Sequence, residues 1–180
     1  MHDRVPAGRY VADTDHSSVV FRIKHLGLAG YLGRFTRFSA ALDFDPDEPE
    51  RMRVEAEIEV ASVDTAYSGK HGDWNAKLGT DPDWLDGARN PIARFASSTV
   101  VRTGDASADV AGDFTFRGAT HPVTLAATYN GGLLKDQFDR TLVGFSARGT
   151  LRRSLWGLTS YLGPLPDEVE LLIEGEFAKA

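Results

Sequence analysis

The chain contains no cysteine, which excludes disulfides, iron–sulfur clusters, thiolate zinc sites and cysteine nucleophiles. It says little about compartment, since reducing and oxidising locations both accept a cysteine-free chain. No run approaches the roughly 18 apolar residues of a membrane-spanning helix. The opening Met1-His2-Asp3-Arg4-Val5-Pro6 has no basic segment leading into an apolar stretch, so no export signal is visible. The expectation is a cytoplasmic protein, or a periplasmic or secreted one if the N-terminus is a processed form. Positive charge is in deficit as well. Lys+Arg total 20 against 26 Asp+Glu, a net −6 that weighs against general binding to nucleic-acid phosphates or anionic membrane surfaces. There is no low-complexity tract and no repeat of 20–50 residues. What remains is 180 residues with 42% hydrophobic and 26% charged side chains, enough for one domain (1–180) with its own core.

The dominant pattern is alternation. Val19, Phe21, Ile23 and His25 share one parity while Arg22 and Lys24 take the other. Val54, Ala56, Ile58 and Val60 alternate with Glu55, Glu57 and Glu59, and Val169, Leu171, Ile173, Gly175 and Phe177 alternate with a largely glutamate face. A period of 2 with one greasy and one charged face marks strands half buried and half wet. In 34–44, Phe38, Ala40, Leu42 and Phe44 keep one parity and Phe35 falls on the other, which predicts a bulge or bend near Thr36. Segments 92–101, 109–117, 122–129 and 141–152 read as further strands, separated by turn sequences such as Thr103-Gly104-Asp105, Arg117-Gly118-Ala119 and Asn130-Gly131-Gly132. Eight strands in sequential hairpins close naturally into an all-β, antiparallel up-and-down barrel without edges, with a two-sheet sandwich as the alternative.

Residues 65–90 break the rhythm. They predict a long loop with a short helix near 73–78, a second helical turn starting at Asp81-Pro82-Asp83, and Trp74 and Trp84 as either core plugs or parts of a binding lid. An eight-stranded barrel is just wide enough to be filled by side chains or to hold one small ligand. The chain has 10 Phe, 5 Tyr and 3 Trp, many on inward parities, with Ala40, Ala56, Gly112, Ala147 and Gly175 leaving room among the rings. Both a packed core and a ligand cavity fit that pattern.

The polar residues are sparse in recognisable chemistry. His2, His16, His25, His71 and His121 show no metal-ligand spacing, so no metal site is expected. Asp15-His16-Ser17 has the residue types of a triad, but neighbours on an extended chain point apart, and Asp15 and Ser17 read as organisers of a turn. His25, on an apolar parity, is either a core histidine or one hydrogen bond for a ligand's polar end.

Taken in order, Tyr10-x-x-Asp13-x-x-His16-Ser17-x-x-x-Phe21-x-Ile23-x-His25-Leu26-Gly27 and Gly33-x-Phe35-x-x-Phe38 resemble the start of the YceI-like family of polyisoprenoid-binding, lipocalin-like proteins. The likeness continues through Asp86-x-x-x-x-Pro91-x-x-x-Phe95-x-Ser97, Gly112-Asp113-Phe114-Thr115-x-x-Gly118-x-Thr120, Gly144-Phe145-Ser146-Ala147 and Arg153-x-x-x-Gly157, covering about residues 8–178. It implies a barrel with a hydrophobic tunnel that binds an isoprenoid quinone, a polyprenyl phosphate or a similar amphiphile, as carrier, store or sensor. It implies no catalytic residue and no cofactor beyond the bound lipid. The chain departs from the family in lacking an export signal and in carrying Trp74-Asn75-Ala76-Lys77-Leu78 where relatives have an Arg-Asp-x-His-Leu element. The residues expected to line the ligand site are Phe21, Ile23, His25, Phe38, Phe44, Ala56, Ile58, Trp84, Phe95, Phe114, Phe116, Phe145, Ala147, Arg153 and Trp156, with Arg153 the cationic companion to a phosphate head. A hydrophobic small molecule is the expected partner, with no nucleic acid and a homodimer left open. The competing function is a barrel enzyme acting on a lipid-like substrate, with His25 or Asp15 as acid or base.

Overall fold

In the computed structural model, which describes residues 4–180, the alternating segments form strands that pair antiparallel, each largely with its neighbour in sequence. The strands are β1 (Gly8–Ala12), β2 (Ser18–His25), β3 (Ala29–Phe35), β4 (Phe38–Phe44), β5 (Arg53–Glu59), β6 (Val63–Asp64), β7 (Ile92–Arg102), β8 (Ser107–Phe116), β9 (Ala119–Leu133), β10 (Leu142–Arg152) and β11 (Glu168–Lys179). Two pairs are single staves broken in the middle. Along β11, Tyr10–Ala12 of β1 pair with Lys179–Phe177, and Ser18–Arg22 of β2 pair with Glu174–Glu170. On the next stave, β3 pairs with β2 and β4 with β1. Counted so, eight staves close into one barrel, and β6 adds a short extension on β3. Closure satisfies edge N–H and C=O groups that a sandwich would leave to solvent.

Each break has a polar cause. Between β1 and β2 the chain bulges outward. The Asp13 N–H donates to Glu176 O (2.8 Å), the Asp13 carboxylate accepts from the Asp15 N–H (3.1 Å), and the Ser17 hydroxyl accepts from the Glu176 N–H (3.0 Å). Asp13, rather than Asp15, therefore organises this turn with Ser17. The bend expected near Thr36 separates β3 from β4. There buried Ser62 holds both sides, its carbonyl accepting from the Thr36 N–H (3.1 Å) and its hydroxyl from the Arg37 N–H (3.1 Å).

The insertion forms one helix, α1 (Trp74–Thr80), whose first turn is capped by the Asp73 carboxylate accepting from the Ala76 N–H (2.9 Å). The second turn expected at Asp81-Pro82-Asp83 forms as one hydrogen-bonded turn, the Trp84 N–H donating to Asp81 O (2.9 Å), and is not continued into a helix. Asp81 is extended, its carboxylate accepts from the Asp83 N–H (2.8 Å), and the chain turns back so that the Leu85 N–H reaches Leu78 O (3.0 Å).

The interior holds buried clusters toward each end with open space between them. At one end Val5, Tyr10, Leu42, Phe44, Val143 and Phe177 form a buried cluster, with Tyr10 fully buried and its hydroxyl donating to Pro6 O (2.7 Å). Val5 and Pro6 thereby pack across part of that end. Toward the other end Val60, Val63, Leu78, Leu85, Ala93 and Leu158 knit the insertion onto the barrel. The glycines expected to leave room do the reverse. A Cβ on Gly112 would lie 2.4 Å from Ala96 O, and one on Gly175 would lie 2.7 Å from the Phe177 ring, so both mark close approach.

A surface network locks the β1–β2 bulge to the β9–β10 connection. Arg140 Nη1 lies 2.8 Å from the Asp13 carboxylate and Arg140 Nη2 2.8 Å from that of Asp136, while His16 Nδ1 sits 3.1 Å from Asp13 and 3.8 Å from Glu176. Hydrogen bonding from Arg140 first, and His16 second, holds the Asp13 carboxyl down at about 2. A depressed carboxyl stabilises the fold above the ordinary carboxylate range and loses that effect as pH falls through its folded value. Urea unfolding of Arg140→Gln beside wild type should therefore show a stability gap at neutral pH that closes as pH falls toward about 2. A gap independent of pH would remove Asp13 from the account.

Candidate functional site

One cavity of about 1240 Å³ occupies the barrel, bounded at one end by the Tyr10–Phe44 cluster and opening at the other. Its wall follows from the strand parities. β2 contributes Phe21 and Ile23, and β4 contributes Phe38, Ala40 and Phe44. β5 contributes Ala56 and Ile58, β7 Phe95, β8 Phe114 and Phe116, and β10 Phe145 and Ala147. Ala40 stands opposite Ala56 in the β4–β5 ladder, and Ala147 opposite Ala127 between β10 and β9. Small side chains facing each other across neighbouring staves are what keep the rings from meeting in the middle. The Phe21 ring covers Gly33 on β3, where a Cβ would stand 2.3 Å from it. That glycine lets the ring lie against the sheet instead of crossing the cavity.

The packed end is an aromatic floor. Phe44 meets Tyr10 edge-on at 5.5 Å, Tyr129 at 5.9 Å and Phe145 at 6.3 Å between ring centroids. Beside this floor the cavity reaches the rim between the β4–β5 connection, at Pro46, Pro49 and Met52, and the β7–β8 turn, at Gly104–Ser107.

The opposite end is a wide mouth framed by the β2–β3 turn, the 65–90 insertion and the 157–167 loop. His25 stands here, exposed, its ring 6.2 Å from that of Tyr31 and without a side-chain hydrogen bond among the described residues. Trp84 meets Trp74 edge-on at 5.0 Å and stacks on Tyr161 at 5.6 Å, so the two tryptophans bridge insertion and loop while facing the cavity. Trp156 is buried in the wall, its Nε1–H donating to Phe114 O (3.2 Å). Tyr31, Tyr67, His71, Lys77, Asp83 and Tyr161 add polar atoms to the same mouth, none of them singled out by the sequence pattern because their segments do not alternate. Asp15 sits outside, on the exposed bulge between β1 and β2, and does not reach the cavity.

Two arginines build the mouth. Arg153 is only 5% exposed and gives four of its five N–H donors to backbone carbonyls, at Leu158 (3.0 Å), Ser160 (2.7 Å), Leu165 (3.3 Å) and Pro166 (2.9 Å). Burial, against the attraction of Asp167, pushes its pKa down. The role expected for it as partner of a phosphate head is thus corrected: it faces the cavity, but its donors hold the 157–167 loop. Arg117, read from the sequence only as part of a turn, occupies a left-handed position (φ 49°) in the β8–β9 hairpin. From there it donates to Trp156 O (3.0 Å), Pro82 O (3.0 Å) and Trp84 O, tying insertion and loop to the barrel. A non-glycine residue in that conformation costs on the order of 1–3 kcal/mol, which these bonds offset.

Replacing Arg153 with Met leaves buried carbonyls unpaired, which should cost about 3 kcal/mol and lower Tm by roughly 6–12 °C. Any loss of lipid binding should then be equal for ligands with and without a charged head. A normal melting temperature together with a selective loss of phosphate-bearing ligands would restore the head-group role.

Comparison with known proteins agrees with this geometry. The YceI-like domain model matches residues 10–177. A UPF0312 protein of Pseudomonas aeruginosa is 37% identical over 161 residues, covering 89% of this chain and 81% of the relative. One from Pseudomonas savastanoi pv. phaseolicola is 34% identical over 173 residues, covering 95% and 85%. Among solved structures, Burkholderia cenocepacia BcnA superposes with a TM-score of 0.77 at 25% identity, over 92% of this chain and 98% of that one. A polyisoprenoid binding domain from Saccharophagus degradans gives 0.69 at 11% identity over 97% and 99%, a likeness of fold. The chain belongs to the YceI-like family.

Proposed function

We propose that the protein binds one long apolar isoprenoid-type molecule in its barrel, an isoprenoid quinone, a polyprenyl phosphate or a similar amphiphile, and serves as its carrier, store or sensor. The observation that carries the reading is the cavity. At about 1240 Å³ it exceeds the roughly 300–1,000 Å³ of ordinary small-molecule sites, and its wall is aromatic and aliphatic along the strands. Each buried methylene contributes about 0.8 kcal/mol, so chain length dominates affinity and polar contacts mainly orient the molecule. Those contacts lie at the mouth, where Lys77, His25, His71 and the tyrosine hydroxyls can meet a polar head that would be costly to bury unpaired. The structural likeness to a polyisoprenoid binding domain supports the same class of ligand.

A barrel enzyme is less well supported. General acid–base chemistry needs titratable groups within reach of each other, and His25, His71, Lys77 and Asp83 form no side-chain hydrogen bond or ion pair with one another.

Filling the cavity is the direct test. Ala147→Phe and Ala56→Phe should lower the uptake of a long polyprenol at least about ten-fold while leaving Tm nearly unchanged. Normal uptake with an early melt, the signature of about 1–3 kcal/mol of overpacking, would mean a filled core. On the same titration, Lys77→Ala and His25→Ala should weaken a polyprenyl phosphate about ten-fold and spare a bare polyprene. Equal losses for both ligands would move the head elsewhere.

A further inference from the structure

The mouth presents more apolar surface outward than its cavity needs. Leu28, at the tip of the β2–β3 hairpin, is 81% exposed, and neighbouring Leu26 and Leu32 are more than half exposed. Across the mouth, on the 157–167 loop, Tyr161 is 64% exposed and Leu162 is exposed beside it. Single leucines scattered over a surface are ordinary; a set gathered on one rim is not. Leu26 and Tyr161 also belong to the cavity wall, so the outer apolar rim runs without interruption into the interior.

Charge points to the kind of partner. The chain as a whole carries −6, but the three lysines around this mouth, Lys24, Lys70 and Lys77, are exposed and form no ion pair among the described residues. Three carboxylates stand near them: Asp73 and Asp81 are turned to the backbone N–H groups of Ala76 and Asp83, and Asp83 is exposed on the mouth itself. Exposed leucines and a tyrosine ringed by unpaired lysines match the two layers of a bilayer surface, acyl boundary beneath and phosphates above.

We propose that this rim is a docking surface for a phospholipid bilayer. The hairpin tip and the Tyr161–Leu162 turn enter the acyl boundary, the lysines lie against lipid phosphates, and the cavity opens directly onto the membrane. A long apolar molecule then passes between bilayer and barrel without crossing water. The purpose of the contact rests on the cavity's being a lipid site, but the contact itself does not.

The test is flotation of the wild-type protein with vesicles of phosphatidylcholine containing a quarter phosphatidylglycerol, and no isoprenoid. Wild type should float with the vesicles, and Leu28→Asp combined with Leu162→Asp should partition at least about ten-fold more weakly. Neither residue lines the cavity, so the variant should still take up polyprenol from detergent, which also shows that it folds. Lys24→Gln and Lys70→Gln should each weaken partitioning about five-fold and make little difference on pure phosphatidylcholine. Wild type that stays with the soluble fraction, or leucine variants that float as well as wild type, would overturn the proposal. So would a wild-type dimer that Leu28→Asp makes monomeric, with no vesicle association. A protein that floats as expected yet takes up no isoprenoid would sink the cargo reading and leave the docking surface standing.

Discussion

Eight residue pairs, three between β1 and β11 and five between β2 and β11, join the first stave to the last, and they close the ring that encloses the cavity. An open sheet with this much aromatic surface on one face would have to fold over and bury it against itself. A closed ring of eight staves fixes the circumference instead, and the side chains then either fill the lumen or leave a space. Here alanines on β4, β5 and β10 leave it, while buried Tyr10, its hydroxyl bonded to Pro6 O, packs against Phe44 at one end. Phe177 pairs with Ala12 across the closing seam and also lines the cavity, so the seam and the cavity wall share a residue.

The other end is governed by hydrogen bonding to loops. Both long connections at the mouth run where their carbonyls are partly shielded from water, and each is held by an arginine with several donors in a fixed fork. Arg153 fastens the 157–167 loop to itself, and Arg117 fastens insertion and loop to the barrel. Trp84, edge-on to Trp74 and stacked on Tyr161, completes the frame. The result is a mouth with polar atoms on its inner edge, apolar tips on its outer edge, and few titratable groups in contact. That combination suits admission of an amphiphile better than covalent chemistry.

How much of this could be read from the chain depended on whether a segment has one wet face. β5 and β11 carry glutamates on the outside, so their inward residues are plain from the sequence. β1 went unrecognised because five residues with one buried side chain, Tyr10, do not make a period. Most of β3 was also missed, because Gly30 and Gly33 stand where inward or outward side chains would have marked alternation. Parity tells which way a side chain faces but not how much space lies beyond it, so a packed core and a cavity remained equivalent until the staves were closed. The same limit explains Gly112 and Gly175, which read as spacers and turned out to mark close approach. Arg153 is expected from the resemblance beside a ligand's head, but its bonding depends on the path of a loop up to thirteen residues away, which no local pattern encodes.

The central claim is that the barrel holds a long apolar molecule, and mass spectrometry of the organic extract of natively purified protein tests it most directly. The account predicts one long-chain isoprenoid-type compound in near-stoichiometric amount, reduced in the Ala147→Phe protein. A clean extract, from a protein that takes up neither quinone nor polyprenyl compound when titrated, would contradict it.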